Sequence, residues 1–91
     1  MRLATEVVHD LKDLEVFGLE LPERKLHKVK GTSLWELRSR WQYRIARSPF
    51  FGAGGRLLVV TTIFQKKTQG IPKTGLRGAT ERMEKWKKGR R

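Results

Sequence analysis

The residues best equipped for chemistry are five cations in the middle of the chain: Arg38, Arg40, Arg44, Lys66 and Lys67. A phosphate undergoing transfer develops negative charge, and fixed guanidinium and ammonium groups stabilise that charge without a metal. Arginine offers a planar bidentate fork and lysine a compact point charge. Crowded cations also make a lysine easier to deprotonate, so that it becomes usable in proton transfer. Tyr43 and the three tryptophans add aromatic faces on which an unpaired base stacks. Each feature also has a plainer role. Trp35, Trp41 and Trp86 have the spacing of core residues. Glu36 is placed to pair with Arg38 or Arg40, and a Lys-Lys dipeptide is commonplace.

Other chemistries lack their residues. His9 falls on the polar side of a helix and His27 in a connector, and nothing in the sequence brings the two imidazoles to one atom, so both read as surface residues. Nine carboxylates, most of them near the start of the chain, do not suit a two-metal cage. Zero cysteines exclude disulfides, Cys-based zinc sites and thiol catalysis. No phosphate-cradling glycine motif is present, and the PFFGAGG run reads as a hairpin loop. Neither a metal nor a cofactor is expected.

The charge balance singles out polyanions as partners. Ninety-one residues carry a net charge of +12 with an isoelectric point near 11.0. The distribution is uneven. Residues 1–23 hold six acids and two bases, a net of −4, while residues 24–91 hold nineteen bases and three acids, a net of +16. That is a basic working surface on an acidic support, and nucleic acid heads its possible partners. An apolar content of 37 % is too high for a disordered basic tail. No apolar run is long enough for a membrane span, and an anionic membrane would want a basic amphipathic helix where the first helix is acidic. The opening residues are charged and amphipathic, unlike a signal peptide, and a cytoplasmic location is expected.

Three kinds of element must position these cations. Leu3, Val7, Val8, Leu11 and Leu14 form one apolar helix face opposed by Glu6, Asp10 and Asp13, and the helix stops near Phe17-Gly18. A connector containing Lys25, Lys28 and Lys30 follows, through Gly31. Residues 34–41 alternate, with Glu36, Arg38 and Arg40 on one face and Trp35, Leu37 and Trp41 on the other, as in a half-buried strand. A turn near Arg40 to Gln42 leads to a second strand over 42–48, and Pro49 to Gly55 reads as a loop. Residues 56–64 are β-branched and almost continuously apolar, the pattern of a strand buried on both faces. Gln65 to Gly75 reads as a polar loop. A last helix over 76–88 carries an apolar stripe of Leu76, Ala79, Met83 and Trp86 with a basic outer face. The expected fold class is α+β: a helix over 1–17, a three-stranded antiparallel meander over 34–64 and a helix over 76–88, in a single domain spanning 1–91.

Three motifs carry a family resemblance: Leu34-Trp35-Glu36-Leu37-Arg38, Tyr43-Arg44-Ile45, and Phe64-Gln65-Lys66-Lys67-Thr68-Gln69 with Pro72. In order and spacing they resemble the phage-derived HigB-like toxins of the RelE/ParE superfamily, over about Leu3 to Trp86. The resemblance implies a RelE-like fold and the toxin of a type II toxin–antitoxin pair. Most such toxins enter the ribosomal A site and cut mRNA, the RNA 2′-hydroxyl attacking the adjacent phosphate. Carried over by motif, Arg38 and Arg44 bind or polarise the scissile phosphate. Lys66 and Lys67 stabilise the transition state or handle protons, and Glu36 belongs to the same set. Tyr43, Arg40, Lys28, Lys30 and Lys73 are the expected RNA contacts. The implied protein partner is a helix-turn-helix antitoxin of HigA type that masks the basic face.

Two departures qualify the match. Gly70-Ile71 stands where relatives usually have another Lys-Thr, so one cation is missing. Relatives also usually carry a strand and a helix ahead of the first helix here, so a bare sheet edge and an exposed apolar surface are expected. Two further functions stay open on the same residues: a catalytically silent RNA- or ribosome-binding remnant, and a ParE-type toxin that poisons DNA gyrase through protein contacts.

Overall fold

In the computed structural model, which describes residues 2–66 and 73–89, the chain opens with α1, Leu3–Phe17. Gly18 ends this helix at φ +59, with its N–H donating to the Leu14 carbonyl. The apolar stripe runs Leu3, Val7, Leu14, with Leu11 half-buried. It differs from the expected face at two places. Val8 is 49 % exposed, whereas Asp10, expected on the polar side, is 3 % exposed. Residues 3, 7, 10 and 14 share one helical face, so Asp10 goes inward with its apolar neighbours. Lys25 Nζ donates to Asp10 Oδ1 at 2.6 Å, which gives the buried carboxylate a charged partner. This pair ties α1 to the connector.

Five antiparallel strands follow: β1 Leu26–Lys28, β2 Trp35–Trp41, β3 Arg44–Ala53, β4 Arg56–Val59 and β5 Ile63–Lys66. The order is β1-β2-β3, with β4 and β5 both paired to β3 on its outer side. The α+β class holds, but the sheet is larger than a three-stranded meander. β1 lay hidden in the basic connector because three residues are too few to show alternation; it is recruited by pairing Leu26 to Leu37. β3 runs through the expected Pro49–Gly55 loop as far as Ala53. A proline inside a central strand argues against a strand unless a bulge accommodates it, and a bulge is present. The register passes from Phe50↔Val59 to Arg47↔Ile63, one residue more on the outer strand than on β3. Val60 N–H still reaches the Pro49 carbonyl at 2.8 Å. The bulge also divides the expected 56–64 strand into β4 and β5. That strand is not buried on both faces: Leu57, Val59 and Phe64 are exposed.

Two turns set the register. The β3–β4 turn is Gly54-Gly55, with φ +57 and +77, the geometry of a type I′ hairpin. The β2–β3 turn is Gln42-Tyr43, closed by Trp41↔Arg44, with Gln42 at φ +55.

The two helices take opposite faces of the sheet. α1 packs Leu14 on Leu26, Leu37 and Phe50, and Leu3 and Val7 on Ala46, with Trp35 and Trp41 at the margins. The closing helix, α2 Lys73–Gly89, begins three residues earlier than the stripe predicts. It packs Ala79 and Met83 on Leu34 and Phe51, with Leu76 and Trp86 against the same cluster. The Phe51 and Trp86 rings meet edge-on at 5.4 Å. All three tryptophans thus belong to packing clusters. Leu34, which starts the polar face of its strand by alternation, is fully buried because α2 covers that end of the face.

Candidate nucleic-acid interface

Directly opposed residues of antiparallel strands share a face. Register therefore sorts the candidate residues. Arg38 stands opposite Arg47, Glu36 opposite Pro49, and Arg40 opposite Ile45. These residues lie on the α2 side of the sheet. Arg44 stands opposite Trp41, which packs with Leu3, Val7 and Ala46 on the α1 side.

At the centre of the α2-side group is Glu36. Its carboxylate is buried, and Oε1 accepts from Arg38 Nε at 2.7 Å and from Arg47 Nη1 at 2.5 Å. The two arginines differ in access: the Arg47 side chain is 4 % exposed and that of Arg38 is 23 %. One carboxylate between two guanidiniums leaves the cluster one positive charge in excess. Arg40, exposed on the same strand face, adds a further cation. A partly desolvated site of this kind attracts an anion, and a phosphate oxygen suits the open edge of Arg38. His27 stands opposite Glu36 across the β1–β2 register and is half-exposed.

Arg44 joins a different neighbourhood. It is exposed and lines a notch of about 390 Å³ with Arg2, Leu3, Ala4, Phe64 and Gln65. Tyr43, at the hairpin tip, is 63 % exposed. Lys66 ends β5 opposite Arg44 in the register. Lys67 and Pro72 lie outside the described residues, and Lys73 opens α2. Lys28 is exposed; its Nζ donates to the Thr32 carbonyl at 2.6 Å and sits 6.0 Å from the centre of the Trp35 ring. Lys30 is exposed in the loop that follows β1.

The expected convergence of cations is therefore partial. Glu36, Arg38 and Arg40 are brought together, and Arg44 is on the other face. Sequence reasoning missed Arg47. Its signal was its position two residues after Ile45 on the same strand face, within reach of an acid across the hairpin. Two further residues differ from expectation: Asp10, expected on the polar side of α1, is buried, and His27, expected in a connector, lies in β1.

No helix among the described residues is long and apolar enough to cross a membrane. In comparisons with known proteins, the family described as phage-derived protein Gp49-like (DUF891) matches residues 2–84. No curated protein and no solved structure matches the chain.

Proposed function

The chain belongs to the phage-derived Gp49-like family, and on that premise we propose that it is the toxin of a type II toxin–antitoxin pair that cleaves mRNA on the ribosome. The family is one associated with RelE/HigB-type toxins. The observation that carries the reading is the Glu36–Arg38–Arg47 cluster, a partly desolvated cationic site with one outward-facing guanidinium. In the proposed reaction the RNA 2′-hydroxyl attacks the neighbouring phosphate, the P–O5′ bond breaks to leave a 2′,3′-cyclic phosphate, the 2′-hydroxyl proton passes to water and the departing 5′-oxygen takes a proton from water. Arg38 stabilises the charge that develops on the phosphate oxygens, and Arg40 holds the backbone alongside. Removing a donor of this kind lowers the rate by about 10²–10³-fold. The partner in this reading is a helix-turn-helix antitoxin that covers the basic face.

The test is expression of the chain in cells, with growth followed and message ends mapped by primer extension. Growth arrest with new 5′ ends inside translated messages, both relieved by Arg38→Ala, is the expected result. Intact messages with a DNA-damage response would point instead to gyrase poisoning. One observation favours a second reading, binding without cleavage: Arg44 lies on the opposite face of the sheet from Arg38, so the two do not converge on one phosphate. That reading expects salt-sensitive RNA binding with every message intact.

A further inference from the structure

Resting on the ribonuclease reading, we propose that Glu36 and Arg47 form a buried brace that positions Arg38, and that Glu36 takes no part in proton transfer. The motif resemblance grouped Glu36 with the reactive residues. Its surroundings assign it differently. Oε1 of Glu36 is held by two guanidiniums at once, Arg38 at 2.7 Å and Arg47 at 2.5 Å. The carboxylate thus bridges a buried guanidinium and a part-exposed one through a single oxygen. Arg38 and Arg47 are also direct cross-strand neighbours, so without a carboxylate between them the like charges repel.

Access divides the roles of the three residues. Arg47 is too buried to reach a phosphate outside; it anchors Glu36. Glu36 anchors Arg38 through Nε, which lies closer to the backbone than the terminal amino groups of the guanidinium. Those terminal groups then face a ligand in one fixed orientation, with little side-chain entropy left to lose on binding. Arg38 is the group that touches substrate, and Glu36 and Arg47 act through it.

A coupling experiment tests this. Single-turnover cleavage of a defined message on programmed ribosomes is measured for Glu36→Gln, Arg38→Ala, the two combined, and Glu36→Gln/Arg47→Met. The last keeps the net charge and removes the buried arginine together with the carboxylate, so it gives a readable result if Glu36→Gln alone does not fold. Glu36→Gln and Arg38→Ala each slow cleavage by about 10²-fold. Together they are no slower than Arg38→Ala, and the pH–rate profile of Glu36→Gln keeps the wild-type shape. A combined loss of a further 10²-fold or so, or a pH profile that loses a limb in Glu36→Gln, would overturn the brace, since that is how a proton-transfer residue behaves.

If the wild-type chain binds RNA but cleaves none, the ribonuclease reading fails and the brace is read by binding instead. Arg38→Ala and Glu36→Gln/Arg47→Met then each reduce the slope of log K against log salt for single-stranded RNA by about 0.7, one phosphate contact. An unchanged slope in Glu36→Gln/Arg47→Met overturns the brace independently of the reaction.

Discussion

Buried charge is rare at this size of protein, and beside the Arg47 guanidinium two carboxylates carry it among the described residues: Glu36 in the sheet and Asp10 on the inner face of α1. They are satisfied differently. Glu36 is shared by two arginines, one of them buried, while Asp10 meets a single lysine whose side chain keeps 25 % of its surface in water. The Asp10–Lys25 pair therefore has a structural task with a modest energy. Asp10→Ala is expected to destabilise the fold by about 1–3 kcal/mol, since Lys25 can return to solvent once its partner is gone. Asp13→Ala, an exposed site on the same helix, is expected to change stability by less than about 0.5 kcal/mol. Urea unfolding of the two variants checks the difference. The inward turn of Asp10 is legible in the spacing, since it falls in the 3-7-10-14 series, although its residue type points outward.

The helices and the first long strand follow from periodicity alone. α1 and the stripe on α2 repeat at helical spacing over many residues, and β2 alternates over seven. The elements that escaped notice are short or irregular: β1, with three residues, and the far half of β3 beyond Pro49. Their existence depends on neighbours, since β1 is held by pairing with β2 and Pro49 is tolerated at the bulge. The turns make separate predictions. Gly54 and Gly55 have open space around them, so substitution there acts through backbone conformation alone. Gly55→Ala is expected to cost about 1–2 kcal/mol, read as a lower thermal midpoint. Gln42 holds a positive φ without being glycine. Gln42→Gly is expected to raise stability by about 0.5–1 kcal/mol, provided the hairpin register is kept. In the α2 contact, Met83→Ala is expected to cost about 2–5 kcal/mol, because Met83 is 2 % exposed against Leu34 and Phe51.

Over the whole molecule most of the exposed cations gather on the α2 side of the sheet. α1, with exposed Asp13 and Glu15, covers one side of the sheet. The other side carries Arg38 and Arg40, and beside them α2 exposes Arg77, Arg82, Lys85, Lys87 and Lys88. The basic surface suggested by the sequence is thus concentrated on the α2 side, although Arg44 and Lys28 lie on the α1 side and α2 also exposes Glu81 and Glu84. A partner held by this face is bound chiefly through charge, so its affinity must depend on salt. With about four phosphate contacts to single-stranded RNA, binding is expected to weaken about 50-fold between roughly 50 and 200 mM salt. Fluorescence anisotropy with a short unstructured RNA measures this. A salt-independent affinity would show that the basic face is not the contact surface.

By itself the sequence determined the two helices, the first long strand and most of the apolar residues these bury, and it raised the expectation of a polyanionic partner. These rest on composition and on local period, which need no knowledge of distant residues. Only the tertiary structure decided which cations share a face. The deciding quantity is the length of one turn. A three-residue turn at Arg40 to Gln42 would pair Arg38 with Arg44 and gather both on one side. The two-residue turn at Gln42-Tyr43 pairs Arg38 with Arg47 and sends Arg44 to the other. Side chains alternate along a strand with a period of two, so a shift of one residue in register reverses every side chain after it. No glycine or proline marks that turn, and its register is fixed instead by burying Ile45 and Arg47 on one face and Ala46 beneath α1 on the other.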